Sequence, residues 1–138
     1  MKRAKMTLAA VALAAGVMGA WGIQSLQAQE KPAPFKRTLL QKHDLTAHGR
    51  EGIQVIAEFI PGAAAGKHTH PGEEMGYVLE GSLQLEIQGK PPVTLHAGQA
   101  FFVPANTVHD GKNVGKGPLK VLATYIIEKG KPVATPVK

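Results

Sequence analysis

A chain of 138 residues has room for one domain, and its apolar fraction of 43% with 19% charged residues favours a globular domain over a disordered chain. The absence of cysteine excludes disulfide bonds, thiolate catalysis and cysteine-ligated zinc. Three units of the net charge of +6 belong to residues 1–28, and the remaining basic residues are scattered, which makes nucleic acid a poor candidate partner.

The first 28 residues have the layout of a secretory signal peptide. Three of the first five residues are basic, an uncharged apolar run covers residues 6–21, and a polar stretch then leads to a possible cleavage point at Ala28. We therefore expect residues 1–28 to be removed and the mature protein to be periplasmic or secreted, without stable membrane insertion. Because Leu26 stands where such a site prefers a small residue, an uncleaved membrane anchor is the alternative.

The next residues predict an extended segment that leads into a β domain. Two prolines exclude a regular helix from much of the segment 29–48. Beyond it, apolar and polar residues alternate with a period of two over residues 53–60, 83–88 and 119–127. This alternation predicts strands with one buried side and one solvent-facing side, and no stretch after the signal has the pattern of a long amphipathic helix.

Shorter strand-like segments and frequent turns fill the intervals between these runs. Sixteen glycines and ten prolines provide the turns. The rhythm of short strands predicts an all-β domain, a sandwich or a closed barrel, over residues 49–128. Residues 129–138 contain two further prolines and are expected to form a flexible C-terminal tail.

A group of histidines with one glutamate is the candidate functional site. His68 and His70 stand two residues apart in a strand-like segment, so both side chains point to one face. Glu74 follows a turn at the start of the next strand, and His109 ends a later strand. Imidazoles with one carboxylate suit Mn, Fe, Co, Ni, Cu or Zn. The remaining three histidines lie in polar or turn segments and are expected at the surface: His43, His48 and His96.

The spacing of these residues matches two motifs of a known family. Residues 62–81 follow G-x5-H-x-H-x3-E-x6-G without a mismatch. Residues 98–113 follow G-x5-P-x-G-x2-H-x3-N, except that Asn106 replaces the inner glycine. Because asparagine tolerates left-handed backbone better than most residues, we expect the same turn there. Over residues 50–128 the chain therefore resembles a small single-domain bacterial cupin of the quercetinase-like type.

The resemblance implies an all-β cupin jelly-roll barrel (a double-stranded β-helix), often dimeric, with one divalent transition metal on His68, His70, Glu74 and His109. Four ligands on one side of a metal leave positions open for water, oxygen or substrate. The expected function is an exported, metal-dependent, dioxygenase-like enzyme acting on a small organic molecule, with Glu74 also having a catalytic role. A periplasmic binding or sensing protein without turnover, and a lyase or isomerase, are alternatives that the motif spacing does not separate.

Two further residues bear on the surroundings of this site. Alternation from Glu74 places Gly76 on the same inward face, and many members of the family carry a bulky residue there. We therefore expect a wider cavity beside the metal, suited to a larger substrate. Asp110, adjacent to His109, is a candidate for orienting the ring of that histidine, although neighbouring strand residues normally face opposite sides.

Overall fold

The computed structural model describes residues 33–138, and the predicted signal peptide, residues 1–28, lies outside this part of the chain. Residues 33–138 form ten strands, and they include no helix long and apolar enough to cross a membrane. In chain order the strands are β1 (Phe35–Asp44), β2 (Arg50–Phe59), β3 (His68–Thr69), β4 (Gly72–Glu80), β5 (Ser82–Ile87), β6 (Val93–His96), β7 (Ala100–Val103), β8 (His109–Asn113), β9 (Leu119–Glu128) and β10 (Thr135–Pro136).

The strands form two five-stranded antiparallel sheets that face each other. The first sheet has the order β1-β2-β9-β4-β7, and the second has the order β10-β3-β8-β5-β6. Consecutive strands such as β3 and β4 belong to different sheets, so the chain passes repeatedly between them. This arrangement confirms the predicted all-β jelly-roll barrel.

The alternating sequence pattern becomes the core because its apolar side faces the opposite sheet. Strands β2 and β9 pair over their full lengths, from Arg50 opposite Glu128 to Phe59 opposite Leu119. Every second residue on each strand is buried, and the residues between them are half-buried, except the exposed Glu128 at the end of β9. Burial of a large apolar side chain is worth about 1.5–3 kcal/mol, so these paired strands form the stable centre of the barrel.

The N-terminal segment expected to be extended, residues 29–48, contributes a strand to the first sheet. From Phe35 to Asp44 it forms β1 and pairs with β2, with one irregularity between Leu39 and Gln41. The Phe35 ring lies on the Phe59 ring, with centroids 4.5 Å apart. Apart from Phe35 the strand is exposed, which explains why its sequence lacks a clear alternating pattern.

The segment expected to be a flexible tail, residues 129–138, is paired with the second sheet. Thr135 and Pro136 form β10 opposite β3, and the Val137 amide donates a hydrogen bond to the Lys67 carbonyl at 2.9 Å. Val133 packs against the buried side chains of β2 and β9. The C-terminal residues therefore cover the strand that carries His68.

Asn106 adopts the left-handed conformation expected from its place in the second motif. Its φ angle is +55°, and it is the one non-glycine residue with positive φ among the residues that the structure describes. Its backbone amide donates a hydrogen bond to the carbonyl of His70 at 2.8 Å. The turn thus fixes the backbone on one side of the histidine group.

This conformation predicts a small effect on stability for one substitution of Asn106 and a clear loss for another. Asn106→Gly should change the free energy of unfolding by less than about 0.5 kcal/mol, because glycine adopts positive φ readily. Asn106→Val should lower it by about 1–2 kcal/mol, because a branched Cβ is strained there. Urea denaturation followed by circular dichroism measures both values. Thr94→Val, at an exposed strand position, is the control, and equal losses for the two valine variants would contradict the prediction.

Candidate metal centre

Three buried histidine rings converge between the two sheets. Strands β3 and β8 pair at His68 and His109, and His70 follows His68 two residues later on the same side. The ring centroids lie 4.3 to 4.8 Å apart. One nitrogen from each ring lies within 4.8 Å of the other two, so this triad could bind a single metal ion.

Each ring is oriented by a hydrogen bond from its Nδ1 atom to a backbone carbonyl. The acceptors are Gly66 for His68 (2.6 Å), Thr107 for His109 (2.9 Å) and Val133 for His70 (2.5 Å). A carbonyl oxygen only accepts, so each Nδ1 carries a proton and the neutral ring has its lone pair on Nε2. All three rings are therefore in the tautomer that a metal needs at Nε2.

The buried carboxylate of Glu74 faces two of these nitrogens. Its Oε2 atom lies 3.1 Å from Nε2 of His70 and 3.2 Å from Nε2 of His109. Lone pairs on all three atoms repel one another unless positive charge lies between them, either as a proton on an imidazole or as a metal cation. Three imidazoles and one carboxylate fit a divalent transition metal in both donor type and number.

The pKa values of these groups also suit a ligand role. Burial raises the pKa of Glu74, but hydrogen bonds and charge from His109 and His70 outweigh that effect and lower it to about 2. Burial, and then the neighbouring imidazoles, lower the pKa of His68 to about 4. At neutral pH Glu74 is therefore ionised and His68 is neutral, as metal ligands require.

All four residues predicted as ligands thus lie together, and their binding of a metal stays a prediction. The other three histidines lie on the exposed surface of the described chain, as expected: His43, His48 and His96. His96 contacts a hydroxyl, with its Nδ1 atom 3.0 Å from Oγ of Ser82. Neither it nor the other two is part of the triad.

Asp110 does not orient His109, whose Nδ1 atom is bound to Thr107 instead. Its Oδ1 atom accepts a hydrogen bond from the Gly66 amide at 2.9 Å. Gly66 in turn supplies the carbonyl that binds His68. The expected role is therefore wrong for His109, and Asp110 supports His68 through the Gly66 turn.

A narrow cavity opens beside the triad, and Phe101 limits its width. The cavity holds about 40 Å³, enough for a few water-sized groups. A Cβ atom placed on Gly76 would lie 2.0 Å from Cζ of Phe101, because the Phe101 ring occupies the space over this glycine. The expectation that Gly76 widens the cavity is therefore wrong. The missing side chain of Gly76 leaves room for Phe101 on the neighbouring strand β7.

Two residues that sequence reasoning missed also line this cavity, Tyr125 on β9 and Arg37 on β1. The Tyr125 ring lies 4.6 Å from that of His70, and the side chain is almost fully buried. Burial and the charge of Glu74 raise the pKa of Tyr125 above its usual range. The signal for Tyr125 in the sequence is a phenol on the otherwise apolar face of β9. The sequence contains no comparable signal for Arg37, which lies on an exposed strand.

The hydrogen bond from Gly66 predicts that Asp110 affects metal affinity. Asp110→Ala should weaken Zn²⁺ binding by roughly ten- to a hundredfold, because the Gly66 turn loses its anchor and the His68 ring loses its fixed orientation. Competition with a chromophoric chelator measures the affinity.

Two variants serve as controls for this effect. Asp110→Asn keeps an acceptor oxygen and should bind Zn²⁺ nearly as tightly as the native protein. Glu86→Ala removes the acidic residue directly opposite Asp110 on β5, without touching the turn. If the Glu86 and Asp110 alanine variants lost affinity equally, charge alone would explain the effect and the orienting role would be rejected.

The barrel is similar to a known protein domain and to known proteins. The family model of the Cupin domain matches residues 55–125, just over half of the chain. Germin-like protein subfamily 2 member 2 of Arabidopsis thaliana is 36% identical over 73 residues, which are 49% of this chain and 33% of the plant protein. The chain thus spans only about a third of that relative's length.

Two solved structures have the same fold at low sequence identity. A conserved protein with a double-stranded β-helix domain from Klebsiella pneumoniae has a TM-score of 0.62 and 16% identity, covering 78% of this chain and 88% of its own. Recombinant oxalate oxidase in complex with glycolate has a TM-score of 0.61 and 23% identity, covering 78% of this chain and 57% of its own. At these identities the similarity shows the fold alone.

Proposed function

Because the chain belongs to the cupin family, we propose that it is an exported enzyme that uses one divalent metal ion to act on a small organic molecule. The observation that carries this proposal is the convergence of three imidazole rings beside a cavity, where the Nε2 atoms of His70 and His109 lie within 3.2 Å of the buried Glu74 carboxylate. A metal held only for structure needs no such opening. Dioxygenase-type oxidation, expected from the family resemblance, is the reaction to test first.

The metal ligands would be His68, His70, Glu74 and His109. When bound, Mn, Fe, Co, Ni, Cu or Zn would supply Lewis acidity toward an oxygen of the substrate, and the redox-active ions among them would also supply electron transfer. The low pKa of Glu74 suits it to hold the metal, whereas a general base works best with a pKa near the operating pH. We therefore assign Glu74 a catalytic role as a ligand rather than as a proton acceptor.

The dimensions of the cavity favour a small substrate. About 40 Å³ is far below the roughly 300–1,000 Å³ typical of sites for drug-sized ligands. The wall is largely apolar, with polar groups from the ligand cluster, Arg37 and Tyr125. The solved oxalate oxidase was captured with glycolate, which makes small organic acids the first compounds to test, before flavonols and catechols.

Two further parts of the proposal concern location and assembly. Export rests on the basic start and apolar run of residues 1–28, followed by a possible cleavage point.

Assembly into a homodimer rests on the outer face of the first sheet, where Met75, Tyr77 and Phe102 are 45%, 43% and 52% exposed. Met75 lies directly opposite Phe102 in the sheet, so these side chains form a continuous apolar patch.

The metal proposal predicts that His68→Ala/His70→Ala removes metal binding. The protein is purified from its native compartment, its N-terminal residue is determined, and its metal content is measured by elemental analysis. We expect about one metal per chain in the native protein and less than a tenth of that in the double variant, because two of four ligands are lost.

A matched control tests whether the loss of metal is specific to this site or follows from removing any two histidines. His43→Ala/His48→Ala removes two exposed histidines and should retain the full metal content. Oxygen consumption with small organic acids then tests turnover. A folded protein that binds none of Mn, Fe, Co, Ni, Cu and Zn would overturn the proposal. Metal binding without turnover of any acid, flavonol or catechol would favour the binding or sensing alternative.

The dimer proposal predicts that Phe102→Lys yields a monomer. The side chain is exposed within one chain, so a charge there should leave the barrel folded while opposing association of the apolar patches. Sedimentation velocity at micromolar concentration measures the mass. Val93→Lys, an equally exposed position on β6, should remain dimeric. A native protein that sediments as a monomer would rule out this dimer.

A further inference from the structure

Arg37 lies on the inner side of β1, at the edge of the cavity that His68, His109 and Glu74 also line. It stands opposite Ala57 in the register of β1 and β2, and Ala57 is part of the buried core. Paired residues of an antiparallel sheet point to the same side, so the Arg37 side chain extends toward the space between the sheets. There it lines the same cavity as His68 and Glu74.

The guanidinium group is held in place by aromatic contact and has no acidic partner. Its Cζ atom lies 4.6 Å from the centroid of the Phe35 ring, which itself packs on Phe59. Such a cation–π contact supports the flat face of the group and leaves its N–H donors for polar partners, among them the Tyr125 hydroxyl. Within residues 33–138, Arg37 belongs to none of the ion pairs between basic and acidic side chains.

The charge of Arg37 acts on groups inside the cavity. Arg37 lines the cavity together with His68 and Tyr125. These two residues belong to opposite sheets, so the positive charge is felt on both walls. The remaining lining is chiefly apolar and includes Ala57, Phe59, Leu83, Leu85, Phe101 and Val121.

A ligand that fits this arrangement has an anionic end and a short apolar body. Arginine donors match the two oxygens of a carboxylate in a bidentate pair, and Arg37 is the one arginine or lysine among the described residues that line the cavity. We propose that Arg37 is the receptor for the carboxylate of a small organic acid, whose remaining part extends toward the triad. This inference rests on the proposed function for the identity of the substrate, and it makes Arg37 the residue that selects acids over neutral compounds.

The test measures binding rather than turnover. Butyrate and its neutral isostere butyramide are titrated into metal-free and Zn²⁺-loaded protein, and the affinity is followed by NMR chemical shifts. We expect native protein to bind butyrate at least tenfold more tightly than butyramide. Arg37→Gln should lose about tenfold in butyrate affinity, the size expected for a charge-assisted pair. Arg37→Lys should recover part of that loss, because it retains the charge without the planar fork.

Lys36→Gln is the matched control for the change in net charge. Lys36 is the preceding residue of β1 and pairs with Glu58, on the other side of the strand. It should bind butyrate as the native protein does. Equal affinity for butyrate and butyramide, equal losses in the Lys36 and Arg37 variants, or no binding by native protein at millimolar ligand would each overturn the proposal. Because the metal-free measurement needs no metal, a failed metal site and a failed Arg37 site give different results.

Discussion

The buried carboxylate of Glu74 is the group around which the rest of the barrel is organised. A carboxylate in the interior is costly unless positive charge or hydrogen-bond donors surround it. Here the Nε2 atoms of His70 and His109 lie 3.1 and 3.2 Å from one of its oxygens. Because both rings are bonded to backbone carbonyls through Nδ1 and face that oxygen with Nε2, the arrangement needs a proton or a metal cation among these atoms. The geometry of the strands serves to bring these groups from separate sheets to one point.

Backbone carbonyls from three distant segments produce this convergence. They come from the Gly66 turn, from Thr107 just before β8, and from Val133 in the C-terminal segment. Each fixes one imidazole ring through its Nδ1 atom, so the orientation of the triad depends on loops that contain no ligand. The pairing of β10 with β3 therefore contributes to the site as well as to the edge of the sheet.

The cavity lining carries two chemically different kinds of polar group. The triad and Glu74 offer ligand atoms for a cation, and Arg37 offers donors for an anion. Phe101 fills the space over Gly76 and narrows the cavity. Size and charge thus act together in the proposed selection of a small acid, and neither property belongs to a single strand.

The sequence by itself determined the all-β class, because period-two alternation is a local property of each strand. It also determined the candidate ligands and the left-handed turn at Asn106, because both are encoded in motifs of fixed spacing. Only the tertiary structure decided that Phe101 lies over Gly76, that Arg37 reaches the cavity, and that the C-terminal segment supports His70. Each of these contacts joins residues far apart in the chain through the register of paired strands or the docking of a terminus. No pattern within one strand specifies the register of its partner, so the width and charge of the cavity follow from the fold alone.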